Sequence, residues 1–291
     1  MEEAKKYIRS DLAVELRPAG ESLPGIDFRE EEREGFRIGR LTVEKEGEAL
    51  VGKPEGVYIT LELGQIWEAE KATFDAARRA VAGELRALLE AAAPGFSSVL
   101  VAGLGNAKLT ADAIGPETAA GVTVTRHLQG SDPRLFEALG RRCVSALSPG
   151  VAGQTGFESA ALLRRAVEEA RPDLVLAVDA LAARSAARLC TTVQLTGSGI
   201  CPGSGVGNAR EALSKETLGV PVIALGVPTV ADSATIVRDV LEQAGIGRLS
   251  PALRKVLEEG RRYFVSVRDS DRAVAALASL LAGAIDEVTV R

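Results

Sequence analysis

Apolar and polar positions alternate with two periods along this chain. Residues 36–44 (FRIGRLTVE) and 57–63 (VYITLEL) alternate closely enough to be strands. Phe74, Ala77, Val81, Leu85 and Leu88 recur at three- and four-residue spacing, which predicts one apolar stripe on a helix. Short apolar runs follow at 97–105 (SSVLVAGLG), 121–128 (GVTVTRHL), 173–181 (DLVLAVDAL), 191–197 (TTVQLTG) and 219–227 (GVPVIALGV), and each reads as a strand. A helix is expected over 156–170, with Thr155 and Glu158 as a capping box, and another over 270–288 with Val274, Leu277, Leu281 and Val288 on one face. The charged stretch 1–35, with Glu30, Glu31, Glu32 and Glu34, reads as a solvated loop. Strands alternating with helices predict an α/β fold, a mostly parallel sheet with helices on both faces and extra N-terminal strands flanking it. No repeat or linker divides the chain, so one domain over 8–291 is expected.

Bulk properties narrow the function. The 291 residues are 46% apolar and 26% charged, the balance of an ordinary globular protein. A formal charge of −5 argues against a nucleic-acid partner. No run is apolar and long enough to span a membrane, and residues 1–13 lack the apolar core of a secretory signal. Cys143, Cys190 and Cys201 are odd in number and form no CxxC, so neither a disulfide framework nor a zinc site is expected, and the compartment reads as reducing.

In open α/β sheets ligands bind beyond the carboxyl ends of the strands. Asp112, Asp179 and Asp232 all follow predicted strands. Two carboxyl groups in one cleft can divide the work, one holding a proton while the other activates water. Position alone does not choose among the three, because an aspartate at a strand end also caps helices. A single histidine, His127, excludes two-histidine metal motifs and reads as a structural residue. The segment 199–203 (GICPG) imitates a nucleophile elbow around Cys201, but Pro202 lacks the N–H such an elbow needs. The five glycines of 197–210 suit either a tight loop or a phosphate-binding one, without a nucleotide fingerprint.

Longer blocks carry a resemblance. IRSDLA (8–13), ITLE (59–62), GLGN (103–106) with TADAIGP (110–116), VTRHL (124–128), SPGVAGQTGFE (148–158), VDALAARS (178–185) and the long block 191–230 are similar to the germination proteases of spore-forming bacteria. The resemblance covers nearly the whole chain. It implies an endopeptidase that degrades small acid-soluble spore proteins in the spore core, a cytoplasmic compartment. It also implies a homo-oligomer made as a zymogen, a fold related to hydrogenase maturation proteases, and no cofactor. Its catalytic aspartates carry over to Asp112 and Asp179. Asn106, Thr110, Arg184, Ser185 and Asp232 are then candidates for substrate binding or support. About seven residues precede IRSDLA, so residues 1–7 are expected to be a short, weakly inhibitory propeptide. A metal held by the same aspartates, and a phosphate- or nucleotide-binding module on 197–210, remain the alternatives.

Overall fold

The computed structural model describes residues 10–17, 23–207, 210–246, 250–259 and 263–291. The expected propeptide, 1–7, lies outside them. One sheet of nine strands runs through the molecule. The strands are β1 (Ile26–Arg33), β2 (Phe36–Val43), β3 (Gly56–Glu62), β4 (Ser98–Gly103), β5 (Cys143–Leu147), β6 (Leu174–Ala182), β7 (Thr192–Thr196), β8 (Val222–Asp232) and β9 (Phe264–Val265). Their order is β1-β2-β3-β7-β8-β6-β4-β5, with β9 paired to the far end of β8. The strands β5, β4, β6 and β8 are mutually parallel. The remaining pairings are antiparallel, β7 against both its neighbours included. The α/β sheet is therefore a parallel centre extended by an antiparallel wing.

Period-two alternation sorts the strand residues between two faces. Val99, Val101, Leu174, Leu176 and Val178 join one apolar cluster; Leu100, Ala102, Val175 and Ala177 join another. The first face is covered by three helices, α1 (Lys71–Ala92), α2 (Ile114–Gly121) and α6 (Ser270–Val288). The second is covered by α3 (Ser159–Ala170), through Ala160, Leu163 and Val167. Two further helices, α4 (Ser233–Gln243) and α5 (Pro251–Glu259), follow β8.

The acidic stretch at 30–34 is not a loop. Residues 26–33 form β1, the edge strand of a hairpin with β2. An edge strand tolerates a charged, exposed sequence because only one side of it is paired. Two charges of the hairpin are also matched: Glu31 of β1 meets Arg40 at 3.0 Å, and Glu34 in the turn meets Arg79 of α1 at 3.0 Å. The hairpin is fastened to α1 by Glu84, which is 1% exposed and lies 3.0 Å from Arg33 and 2.8 Å from Arg40.

Two other expectations are corrected. Residues 121–128 are not a strand. Thr125 imitates a ladder instead: its N–H, with that of Arg126, donates to the Val144 carbonyl, and its hydroxyl donates to the Arg142 carbonyl. Val124 is exposed, so no apolar face alternates there. The edge strand is β5, a segment the sequence pattern missed. The helix expected over 156–170 starts at Ser159 behind Glu158. Gly156, at φ +77°, ends a separate one-turn helix at Ala152–Thr155, and the Thr155 hydroxyl accepts from the Phe157 N–H rather than capping α3.

Glycines set how closely α2 approaches the sheet. A Cβ on Gly115 would lie 2.2 Å from the Leu104 carbonyl oxygen and 2.4 Å from that of Val178; one on Gly103 would lie 2.3 Å from the Gly115 carbonyl. Gly115→Ala is therefore expected to destabilise the fold by more than about 3 kcal/mol, or to prevent folding, since backbone must move to admit it. Gly130→Ala, where the added methyl meets nothing within 4 Å, is expected to stabilise by up to about 1 kcal/mol. Urea unfolding of both variants checks the pair.

Candidate active site

The strand β6 outruns its neighbour β4. The last residue pairing with β4 is Val178, opposite Gly103, and the next residue is Asp179. Its carboxyl therefore sits where β4 has ended but β8 still pairs, with Gly226 alongside. Asp179 is 5% exposed. From the end of β4 the chain loops through Gly105 and Asn106 into a single 3-10 turn, Thr110–Asp112, and then into α2. The seating of Gly115 against Leu104 and Val178 fixes this loop over the end of β6. Gly105, at φ +113°, passes so close to Asp112 that a Cβ would lie 2.2 Å from its carbonyl oxygen and 2.9 Å from Oδ1.

Asp112 and Asp179 line one cavity of about 520 Å³. Its walls are largely apolar, with Leu104, Leu109, Val151, Val230 and Phe264 among them. The Asn106 N–H donates to Asp112 Oδ2 at 2.8 Å, and the Ala180 N–H donates to Asp179 Oδ1 at 2.9 Å. Burial pushes the Asp179 carboxyl well above the ordinary carboxylate range, and the charges of Asp112 and then Asp11 push it further. Burial also raises Asp112, while the Asn106 N–H opposes that rise by stabilising the ionised form.

Asp11 is a third carboxylate on the cavity wall, a position that composition and spacing did not single out. Its N–H donates to the Ala182 carbonyl at 2.8 Å, and its Oδ2 accepts from the Ala182 N–H at 2.9 Å. Its Oδ1 accepts from the Ser204 hydroxyl at 2.6 Å. The glycine loop folds around this carboxyl: a Cβ on Gly205 would lie 2.1 Å from Asp11 Oδ2. Gln194 clamps the same segment, accepting from the Ala13 N–H and donating to the Asp11 carbonyl.

The other candidates lie around the pair rather than within it. Asn106 supports Asp112 through its backbone and accepts from Gln154 through its side chain. The Thr110 hydroxyl donates to Asp271 of α6. The Arg184 guanidinium pairs with Asp239 and Glu242 of α4. The backbone N–H groups of Arg184 and Ser185 hold the carboxylate of Glu15. Asp232 caps α4, accepting from the Thr235 N–H at 3.0 Å. The Cys201 thiol lies 3.3 Å from the Arg210 carbonyl. Among the described residues, no three His, Cys, Asp or Glu side chains converge as a metal-ligand set, and no helix is long and apolar enough to cross a membrane.

A sequence model described as germination protease matches residues 3–247. The chain belongs to the germination protease family. A germination protease from Caldanaerobacter subterraneus subsp. tengcongensis is 44% identical over 239 residues, covering 81% of this chain and 72% of that protein. Those from Bacillus subtilis and Priestia megaterium are 43% and 40% identical, each over 81% of this chain and 66% of their own length. The chain thus spans about two thirds of the length of these germination proteases. A solved structure with a distant likeness is the [NiFe] hydrogenase maturation protease HycI from Thermococcus kodakarensis, with a TM-score of 0.40 at 17% identity, over 72% of this chain and 99% of that one.

The raised Asp179 carboxyl has a consequence for stability. Its folded-state pKa lies above the unfolded value, so the neutral carboxyl's contribution is complete below about pH 4, the unfolded aspartate value, and is lost as pH rises through the folded one. Asparagine never ionises and keeps the Oδ1 acceptor for Ala180. Asp179→Asn is therefore expected to unfold at a higher temperature than the parent at pH 8, with the difference closing at pH 4. Thermal unfolding across that range checks it, and a variant less stable at every pH would contradict it.

Proposed function

We propose that this chain is an endopeptidase of germination, acting on small acid-soluble spore proteins in the spore core, with Asp112 and Asp179 activating water between them. The observation that carries this reading is the shared cavity, in which two carboxyl groups stand in unequal surroundings. Burial, and then the charges of Asp112 and Asp11, favour the protonated form of Asp179, the more deeply buried of the two. Asp112, with an N–H donated to it, is the partner that ionises.

Such a pair divides the reaction simply. Ionised Asp112 takes a proton from water as the water oxygen bonds to the peptide carbon. Protonated Asp179 gives its proton to the carbonyl oxygen, so a neutral gem-diol forms. On collapse, Asp112 returns its proton to the departing nitrogen while a gem-diol hydroxyl restores the proton of Asp179. The C–N bond breaks and both carboxyls regain their starting states. Apolar walls exclude competing water and offer side-chain contacts on either side of the bond.

Two other readings have less support. A metal enzyme using the same aspartates would need further ligands, and Asp11, the other carboxylate whose charge acts on Asp179, is already engaged by Ala182 and Ser204. A phosphate-binding role for 197–210 meets the same carboxylate, whose charge repels an anion where the loop closes around it. We propose residues 8–291 as the peptidase unit, working as a homo-oligomer, with residues 1–7 as a weak restraint.

The test is cleavage of a purified small acid-soluble spore protein. Asp179→Asn and Asp112→Asn are each expected to lower kcat by at least about a hundredfold, the scale of losing a general acid or base, with circular dichroism unchanged. A chelator is expected to leave the parent's activity intact. Retained activity in either variant sinks the dyad, and loss with chelator favours the metal. Asp232→Ala is expected to cost about 1 kcal/mol of stability through its helix cap and leave the cleavage rate of the folded protein unchanged.

A further inference from the structure

β6 and β8 stay in register through the site and lose it just beyond. Asp179 pairs with Gly226, Ala180 with Val227 and Leu181 with Pro228, but Ala182 pairs with Val230. Thr229 is the extra residue of a β-bulge. A bulge bends its strand and re-aims a side chain that regular pleating would send elsewhere. Here the Thr229 hydroxyl reaches the Asp112 loop and donates to the Ala111 carbonyl at 2.5 Å. Thr229 is fully buried. The bulge is supported on its backbone as well. The Ser266 hydroxyl donates to the Thr229 carbonyl at 2.7 Å, and the Cys190 N–H donates to the Pro228 carbonyl at 2.7 Å.

This bond joins the two halves of the site. Asp179 is carried by β6 and held by the sheet on both sides. Asp112 is carried by a loop closed largely on itself: the Asn106 N–H donates to the Asp112 carbonyl, the Leu109 N–H to that of Asn106, and the Asp112 N–H to that of Leu109. Bonds within a loop fix its shape but not its placement. Two side-chain ties to other elements, Thr110 to Asp271 and Gln154 to Asn106, involve the exposed residues Asp271 and Gln154. Water replaces exposed bonds at little net cost, whereas a buried donor left unsatisfied is expensive. Among the described residues, Thr229 supplies the buried side-chain tie to this loop, and it attaches at the residue before Asp112. β8 thus holds Asp179 through Gly226 and the Asp112 loop through Thr229, so one strand sets the placement of both carboxyls.

We infer that Thr229 is a positioning residue: its hydroxyl, turned by the bulge in β8, holds the Ala111–Asp112 peptide so that the Asp112 carboxyl stays beside Asp179. The roles of the two aspartates rest on the endopeptidase reading, but the placement of Asp112 can be measured without turnover. The charge of Asp112 raises the Asp179 carboxyl, second to burial and ahead of Asp11. A loop that swings away weakens this charge at Asp179 and admits water. Both changes lower the pH at which Asp179 gives up its proton.

The experiment uses the full chain with its aspartate carboxyl carbons labelled for NMR, the Asp179 signal being assigned by its loss in Asp179→Asn. The parent is compared with Thr229→Val, Thr229→Ala and Thr229→Ser. Valine and alanine are each expected to lower the titration midpoint of Asp179 by about half a pH unit or more, while serine, which keeps the hydroxyl, titrates close to the parent. On a purified small acid-soluble spore protein, kcat of Thr229→Val is expected to fall about tenfold or more, because a small misplacement of a reacting group is costly. KM is expected to stay within about twofold, since no substrate contact is removed, and serine is expected to recover most of kcat. Thermal unfolding verifies that each variant is folded. Alanine and serine differ only by the hydroxyl, so their comparison decides the matter if the valine variant does not fold. The inference is overturned if Asp179 titrates in the valine and alanine variants as in the parent, if all three variants shift alike, or if a folded variant without the hydroxyl keeps the parent's kcat. A parent chain that cleaves no spore protein would overturn the endopeptidase reading instead, and the titration would still decide the role of Thr229.

Discussion

A charged carboxylate in a low-dielectric interior costs several kcal/mol unless it is paired or takes up a proton. Among the described residues no cation pairs with Asp179. Among those residues its one donor is the Ala180 N–H, and the charges that act on it, those of Asp112 and Asp11, are both acidic. Taking up a proton is the remaining way to lower that cost. Much of the local architecture serves to keep this group buried next to a second carboxyl. β6 must outrun β4, α2 must sit tightly enough to hold the Asp112 loop over the strand end, and only glycine at 103, 105 and 115 allows that approach. A Cβ at any of these positions would meet backbone atoms, a clash that side-chain repacking cannot relieve.

The same arrangement explains why the N-terminal segment belongs to the site although it lies far from it in sequence. Asp11 pairs with Ala182 through both its backbone and its side chain, Gln194 grips the peptide groups on either side of Leu12, and Leu12 is fully buried against Leu181, Ala183 and Leu189. Burying such a side chain is worth about 2 kcal/mol. The segment is therefore held by directional bonds and apolar contact together, and it sets part of the electrostatic environment of Asp179.

How far the sequence speaks depends on which physics sets each element. The buried strands around 97–105 and 173–181 and the helix 270–288 are legible because burial on both faces, or a long stripe, dominates their composition. β1 is not, since an edge strand buries too little to leave an apolar signature. β5 is hard to read because it is short and half exposed, and 121–128 is misleading because Thr125 satisfies the neighbouring backbone without forming a ladder. β7 is legible as a strand, but its antiparallel direction follows from pairings distant in sequence. At the site, strand ends nominate Asp112, Asp179 and Asp232 alike. Only the tertiary structure separates them, since Asp232 faces a helix N-terminus while the other two face one cavity. Asp11 leaves no mark in periodicity, because its role comes from a long-range contact.

The Glu84 clamp bears on how the molecule opens. A carboxylate 1% exposed, held by two arginines from the β1–β2 hairpin, cannot lose both partners without being left as a bare buried ion. Peeling the hairpin from α1 thus carries a penalty far larger than its exposed, polar surface suggests. Edge hairpins commonly fray at little cost and exchange their amide protons quickly. Here Glu84 couples the hairpin to the middle of α1, so their amides are expected to exchange together and more slowly than the solvent exposure of β1 alone would give.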